Sequence, residues 1–188
     1  QNMARILNYG SLNIDHVYSV PHIVRPGETI SAVGFKDFPG GKGLNQSTAL
    51  GRAGAQVFHA GRIGKGGEFL VEQLKEAGVN TDLVVLDSQC STGHAIIQND
   101  AEGDNCILLY GGANQRITKE QIDATLDQFD AGDYLVLQNE TSNLPYLMEK
   151  AAEKQMKIVL NPSPMDEKIK ALPLDKVTLF FVNEIEAA

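Results

Sequence analysis

Three glycines and a lysine open one predicted helix of this chain. The segment reads Pro39-Gly40-Gly41-Lys42-Gly43-Leu44-Asn45-Gln46, and the helix is predicted to continue through Arg52. Glycine lets a backbone approach a ligand closely, and the start of a helix presents unpaired N–H groups. This loop could therefore hold an anion or several hydroxyl oxygens. A plain strand-to-helix turn is the alternative that the residues leave open.

Neither glycine cluster of the chain fits a nucleotide-binding fingerprint. A P-loop needs glycine where Lys36 stands and Ser or Thr where Gly43 stands. The second cluster, from Gly61 to Gly67, lacks the last glycine of GxGxxG because Phe69 occupies that position. We interpret the second cluster as a tight strand-to-helix turn.

Polar side chains follow three predicted strands, at the edge where open α/β sheets bind ligands. Asn13 and Asp15 follow the first strand, and alternation places them on one side. Glu140 follows the strand that ends at Gln138. A carboxylate and an amide so placed can bind vicinal hydroxyl groups, as sugar recognition requires. An Asx turn at Asn13 and a solvated acid at Glu140 are the alternatives. The third group consists of Asn183, Glu184 and Glu186.

These residues require a parallel sheet that brings the strand ends together. Short β-rich runs alternate with amphipathic stretches after Gly40, which predicts an α/β core. Thr118 and Gln121 predict the start of a helix that reaches Phe129, and Asn143 and Pro145 start another that reaches Lys154. The predicted core strands are 6–9, 56–60, 134–138, 157–160 and 179–182.

Two segments, at about 16–38 and 94–110, interrupt the alternation of strands and helices. Both are predicted to form antiparallel ribbons, and together they could form a small second sheet that covers a site or contacts a partner. We treat residues 1–188 as one incomplete α/β domain that includes these strands. The last apolar run lacks the helix that should cover it, so we expect the natural protein to continue beyond Ala188.

Composition narrows the possible partners and compartment. The formal net charge of −8 argues against binding to nucleic acid or to an anionic membrane. The apolar runs are too short to cross a bilayer, and no signal peptide is recognisable. Cys90 and Cys106 form no CxxC pair, so we expect free thiols in the cytoplasm. The four histidines show no metal-ligand spacing.

Several motifs, in order along nearly the whole chain, resemble the PfkB carbohydrate kinases, and within them the ribokinase group. Segment 10–16, Gly-Ser-Leu-Asn-Ile-Asp-His, resembles the first sugar-binding segment, and segment 40–46 resembles the first family signature. Further matches are Pro26-Gly27-Glu28-Thr29, Ser91-Thr92-Gly93, Gly112-Ala113-Asn114, Gln138-Asn139-Glu140, Asn161-Pro162-Ser163-Pro164 and Asn183-Glu184-Ile185-Glu186.

The resemblance implies a three-layer sheet flanked by helices, a small antiparallel β lid, and a role for each matching residue. Asn183 would contact ATP phosphates, and Glu186 would help to hold Mg²⁺ through water. The lid would pair with that of a second copy in a homodimer. The residues implied to bind D-ribose are Asn13, Asp15, Gly41, Lys42, Asn45, Ala95, Ile107 and Glu140.

One family motif is missing from the sequence. The Gly-Ala-Gly-Asp segment, whose aspartate takes the proton from the attacking hydroxyl, does not occur in it. The resemblance places this catalytic base, the adenine pocket and a K⁺ loop after Ala188. It implies phosphorylation of the ribose 5-hydroxyl by ATP and Mg²⁺ in the complete protein, and inactivity of this chain alone. Alternatives are another PfkB sugar or nucleoside kinase, a noncatalytic sugar-binding module, or a structural interaction domain.

Overall fold

The computed structural model describes residues 3–181, which contain a large parallel sheet. Every neighbouring pair of its strands runs parallel. Short strands of this kind, buried on both faces, arise from apolar runs such as Tyr134-Leu-Val-Leu-Gln138. In spatial order the strands are β10 (Leu179–Phe180), β9 (Lys157–Asn161), β8 (Tyr134–Gln138), β1 (Ile6–Tyr9), β4 (Val57–Lys65) and β5 (Asn80–Ser91).

Helices cover both faces of the large sheet and give three layers. Helices α1 (Lys42–Arg52) and α2 (Glu68–Glu76) form one outer layer, and α3 (Lys119–Leu126) and α4 (Leu144–Glu153) form the other. Alternation along β1 supplies both cores, since Leu7 and Tyr9 pack on the α3–α4 side and Ile6 on the α1–α2 side. No helix within residues 3–181 is long and apolar enough to span a membrane. The predicted α/β architecture is confirmed.

Most predicted elements form, with differences in length. Strand β4 continues to Lys65, beyond the predicted Ala60. Helix α3 ends at Leu126 because its last turn tightens into bonds between residues three apart, and Phe129 packs in the core beyond the helix. Strand β5 was not predicted. Among the described strands it pairs with β4 alone, at the edge of the sheet, and its burial shows no regular alternation. Its short apolar run, Leu83-Val84-Val85-Leu86, was the signal available in the sequence. The fifth predicted strand, 179–182, is shorter than predicted: it ends at Phe180, Phe181 lies beyond it, and Val182 lies outside the described residues.

The two ribbons form a second sheet of four strands, which we call the lid. The spatial order is β3 (Gly34–Gly40), β2 (Asn13–Ser19), β6 (Gly93–Asn99) and β7 (Asn105–Tyr110). Each ribbon is antiparallel, as predicted, in the pairs β2–β3 and β6–β7. The ribbons join through β2 and β6, which run parallel, so the lid is a mixed sheet. The parallel joint depends on contacts between segments distant in sequence, which local turn signals do not specify.

Thr118 should stabilise the start of α3. Its side chain accepts a hydrogen bond from the Gln121 backbone N–H at 3.0 Å, as the capping-box pattern predicts. Thr118→Ala removes this bond and is expected to lower the free energy of unfolding by about 1 kcal/mol, measured by urea denaturation. Thr118→Ser keeps the hydroxyl and should retain most of the stability. Equal losses in both variants would contradict a capping role.

Candidate functional site

The Glu140 carboxylate lies at the start of α1. Its Oε1 accepts from the Ser11 hydroxyl at 2.6 Å and from the Lys42 backbone N–H at 3.1 Å. Ser11 Oγ in turn accepts from the Gly43 backbone N–H at 3.2 Å. The N–H groups of the glycine loop are therefore partly used by a carboxylate of the protein itself. A negative charge at a helix N-terminus is electrostatically favourable, so this arrangement holds Glu140 in one orientation.

Asp15 is a second carboxylate close to Glu140. It is half-buried in β2, and an added Cβ at the neighbouring Gly40 would lie 2.5 Å from its Oδ2. Burial raises the pKa of Asp15 above its usual value, and the charge of Glu140 raises it further. Within residues 3–181, both hydrogen bonds to the Glu140 carboxylate use Oε1, so none of these residues occupies Oε2. The pair can accept hydrogen bonds from two hydroxyl groups.

One face of the lid extends the site. Cross-strand register aligns Asp15 with Ala95, and Val17 with Ile97 and Ile107. Because paired residues point to the same face of a sheet, Asn13, Asp15, Ala95 and Ile107 share one face. Ala95 is buried and Ile107 is 53% exposed. The lid therefore places apolar side chains beside polar groups, which suits the two sides of a sugar ring.

A buried polar network supports the glycine loop from below. Asn8 Nδ2 donates to the Gly43 carbonyl at 2.9 Å and to Ser47 Oγ at 2.7 Å. Ser47 Oγ lies 2.7 Å from His59 Nδ1, and His59 Nε2 lies 3.1 Å from the Gly10 carbonyl. A carbonyl only accepts, so Nε2 carries the proton and Nδ1 accepts from Ser47. Burial lowers the pKa of His59 to about 4, which keeps it neutral.

The structure brings most of the predicted site residues into one region. Gly41 precedes α1 with φ of 99°, and Lys42 and Asn45 lie in the first turn of that helix, with Asn45 exposed. An added Cβ at Gly41 would lie 3.2 Å from the Asn13 backbone nitrogen, so loop and lid meet there. Sugar-binding roles for these residues remain predictions. Asn183 and Glu186, predicted to contact ATP and Mg²⁺, lie outside the described residues, as does Glu184.

Two residues of the site carried no predicted role. Ser11 lies within segment 10–16 and bonds Glu140, and Asn114 bonds the Leu12 backbone and the Asn13 side chain. Asn114 belongs to a recognisable motif, Gly112-Ala113-Asn114, but lies 101 residues from Asn13 in sequence. The motif was the signal available; the contact itself depends on tertiary structure.

Comparison with known proteins identifies the family of this chain. The sequence profile of the pfkB family carbohydrate kinases matches residues 3–188. The chain belongs to this family.

Several of the similar proteins are ribokinases. Ribokinase of Staphylococcus aureus (strain COL) is 34% identical over 192 residues, which cover 97% of this chain and 62% of that protein. Ribokinase of Bacillus subtilis (strain 168) is 33% identical, over 99% of this chain and 64% of that protein. The crystal structure of ribokinase from Cryptococcus neoformans in complex with ADP matches with a TM-score of 0.84 and 38% identity, over 98% of this chain and 58% of that one. The chain thus spans less than two thirds of the length of each of these three relatives.

Gly43 should tolerate no side chain. An added Cβ would lie 2.5 Å from the Gly10 carbonyl carbon and would also collide with the Ser11 backbone nitrogen. Gly43→Ala is expected to lower the free energy of unfolding by about 1–3 kcal/mol, measured by urea denaturation, because backbone must move. Gly34→Ala is the control, since its Cβ would lie 3.5 Å from Ser19. Similar stability of both variants would contradict the close packing of α1 on segment 10–11.

His59 should make stability depend on pH. Its pKa is about 4 in the folded protein and 6.5 in the unfolded chain. Between these values only the unfolded state gains the proton, so stability is fully present above pH 6.5 and falls as the pH drops towards 4. The loss is expected to reach on the order of 3 kcal/mol.

His59→Gln should flatten this part of the curve, measured by urea denaturation at several pH values. His94→Gln changes a partly exposed histidine of the lid and serves as the control. An unchanged slope in His59→Gln would show that His59 is not the responsible group.

Proposed function

We propose that the whole protein transfers the γ-phosphoryl group of ATP to the 5-hydroxyl of D-ribose. The observation that carries the proposal is the pair of carboxylates, Asp15 and Glu140, set between the glycine loop and the lid. Similarity to ribokinases at 33–38% identity supports ribose as the substrate. The ADP in the Cryptococcus ribokinase structure supports ATP as the phosphoryl donor.

In this proposal the described residues bind and orient the sugar. Asp15 and Glu140 Oε2 accept hydrogen bonds from ribose hydroxyls, and Asn13, Gly41, Lys42 and Asn45 complete the polar contacts. Ala95 and Ile107 pack against the apolar side of the sugar and exclude water from it. Orientation of the 5-hydroxyl towards the phosphate lowers the entropic part of the barrier.

ATP and Mg²⁺ are assigned to the segment after β10. Strand β10 runs parallel to β9, so its carboxyl end lies at the same edge of the sheet as the ends of β1 and β8. Asn183 would contact the phosphates, and Glu186 offers the carboxylate oxygen chemistry that Mg²⁺ prefers, through water. When bound, Mg²⁺ would neutralise charge on the transferring phosphoryl group. A K⁺ site is proposed for the complete protein only.

Phosphoryl transfer also needs a base that takes the proton of the 5-hydroxyl. None of the described residues is proposed for this role. We propose that the base lies in a Gly-Ala-Gly-Asp segment of the complete protein, which this sequence lacks. This chain alone is then expected to be inactive. We also place the protein in the cytoplasm, in keeping with Cys90 and Cys106, which are free thiols.

We further propose that the lid mediates homodimerisation. Strand β7 carries four consecutive exposed apolar or aromatic side chains, from Ile107 to Tyr110. Leu108 and Leu109 are 67% and 62% exposed. A sheet with this much uncovered apolar surface suits a contact with a second copy.

The first test is an ADP-release assay with ATP, Mg²⁺ and ribose, fructose or adenosine. We expect turnover on ribose by the whole protein and none by residues 1–188 alone. Glu140→Gln should lower kcat/KM for ribose by about 10- to 100-fold, because it removes a charged hydrogen-bond acceptor. Glu149→Gln changes an exposed glutamate of α4 and should have no effect.

Each other outcome has a definite meaning. Turnover on fructose or adenosine instead of ribose would assign a different substrate within the family. Ribose binding by the whole protein without any turnover would identify a noncatalytic sugar-binding module. Efficient turnover by residues 1–188 would contradict the proposal that the catalytic base lies outside this sequence.

A further inference from the structure

Asn114 lies behind the candidate sugar site and is buried, with 2% of its surface exposed. It belongs to a one-turn 3-10 helix, Gly112–Gln115. Its Oδ1 accepts from the Leu12 backbone N–H at 3.0 Å. Its Nδ2 donates to the Leu12 carbonyl at 3.3 Å and to Asn13 Oδ1 at 2.7 Å. Every polar atom of the Asn114 side chain is thus engaged with the segment that begins β2.

These bonds determine the direction of the Asn13 amide. A backbone N–H can only donate, so the Asn114 atom facing Leu12 N must be the oxygen. The Asn114 nitrogen then faces Asn13 and can only donate, so the Asn13 atom facing it must also be an oxygen. The Asn13 nitrogen consequently points away from Asn114. Within residues 3–181, no hydrogen bond occupies that nitrogen.

The backbone at Gly93 packs closely against the hydrogen bond between Asn114 and Asn13. An added Cβ at Gly93 would lie 2.5 Å from Asn13 Oδ1 and would collide with Asn114 Nδ2. The same 3-10 helix also contacts the opposite wall of the site, since Gln115 Nε2 donates to the Glu140 carbonyl at 3.0 Å. The Asn114 carbonyl accepts from the Ser142 backbone N–H at 3.0 Å. Asn114 is therefore held from both sides and has little freedom to turn.

We infer that Asn114 is a positioning residue that fixes Asn13 as a hydrogen-bond donor towards the ligand. The sugar hydroxyl that faces Asn13 then binds as an acceptor, whereas the hydroxyls that face Asp15 and Glu140 bind as donors. This inference rests on the proposed function and adds a rule for ligand choice. A substituent that only accepts, such as fluorine, is tolerated opposite Asn13, and a substituent that only donates, such as an ammonium group, is not.

We call the chain of hydrogen bonds from Leu12 N–H through Asn114 to Asn13 the relay. Asn114→Asp is expected to reverse the direction of its last bond. In its ionised form the new carboxylate still accepts from Leu12 N through one oxygen, but the other oxygen cannot donate. Asn13 must then turn its nitrogen towards this carboxylate. Asn13 then presents its oxygen to the ligand. The hydroxyl of ribose can adapt by donating instead of accepting, but fluorine cannot.

The experiment measures binding of D-ribose and of its 1-, 2- and 3-fluoro and amino analogues to the whole protein by calorimetry. In the unmodified protein, one fluoro analogue should bind nearly as well as ribose. In Asn114→Asp, that analogue should weaken by at least about 10-fold relative to ribose, and the amino analogue at the same position should gain. Equal weakening of ribose and all analogues would overturn the inference, because a merely structural role predicts no change in selectivity.

Two further variants separate the relay from general damage. Asn13→Asp keeps the bond from Asn114 and presents an acceptor to the ligand, so it should show the same selectivity as Asn114→Asp. Gln121→Glu is the matched control, since it also converts a buried amide to an acid. Gln121 accepts from Arg62 at 2.8 Å and donates to the Gly61 carbonyl at 2.8 Å, so the control likewise loses one bond to a carbonyl. It should leave selectivity unchanged.

A ligand-free measurement keeps the relay testable if ribose is not the substrate. The side-chain NH₂ protons of Asn114 should exchange slowly with solvent, and those of Asn13 should exchange fast, as measured by ¹⁵N-resolved NMR. Slow exchange at Asn13 and fast exchange at Asn114 would overturn the relay. If the unmodified protein binds no sugar while this exchange pattern is found, the proposed function fails and the relay stands.

Discussion

The bond between the Glu140 carboxylate and the start of α1 is the constraint on which the site depends. Glu140 comes from the end of β8, Ser11 from the end of β1, and the Lys42 N–H from the helix that follows the lid strand β3. A carboxylate at a helix N-terminus is typically worth about 0.3–1 kcal/mol, and more where it is partly buried. The bonds of Glu140 to Ser11 and Lys42 therefore join three segments of the chain at one edge of the sheet, and within residues 3–181 they leave the second carboxylate oxygen unoccupied.

The lid is joined directly to this network of hydrogen bonds. Ser11 bonds Glu140, and β2 begins two residues later at Asn13, so movement of the lid strand is tied to the same hydrogen bonds. Glycines make the close approach possible: an added Cβ at Gly40 would collide with Asp15, and one at Gly93 with Asn13. The parallel pairing of β2 with β6 then carries Ala95 and Ile107 onto the face of Asp15.

Asp15 differs from the buried polar groups near the glycine loop in how well its charge is compensated. Burial and the charge of Glu140 both oppose ionisation of Asp15 and raise its pKa. Within residues 3–181, no hydrogen-bond donor to its carboxylate offsets these two effects. Hydroxyl groups of a sugar would supply such donors. The buried chain of Asn8, Ser47 and His59 contrasts with this, because its members satisfy one another and make the glycine loop rigid. A loop held rigid in this way loses little conformational freedom when a ligand binds, which favours binding.

Local patterns in the sequence determined the parallel sheet, the capped start of α3 and the polar residues at the strand ends. Apolar runs such as Tyr134–Gln138 and the Thr118 cap act over a few residues, so they can be read without a structure. Only tertiary structure decided the parallel joint of the lid and the direction of the Asn13 amide. Both depend on partners far apart in sequence: the lid on β2 meeting β6, and Asn13 on Asn114, 101 residues away. Hydrogen-bond direction in particular is a property of the assembled network, and no single residue type specifies it.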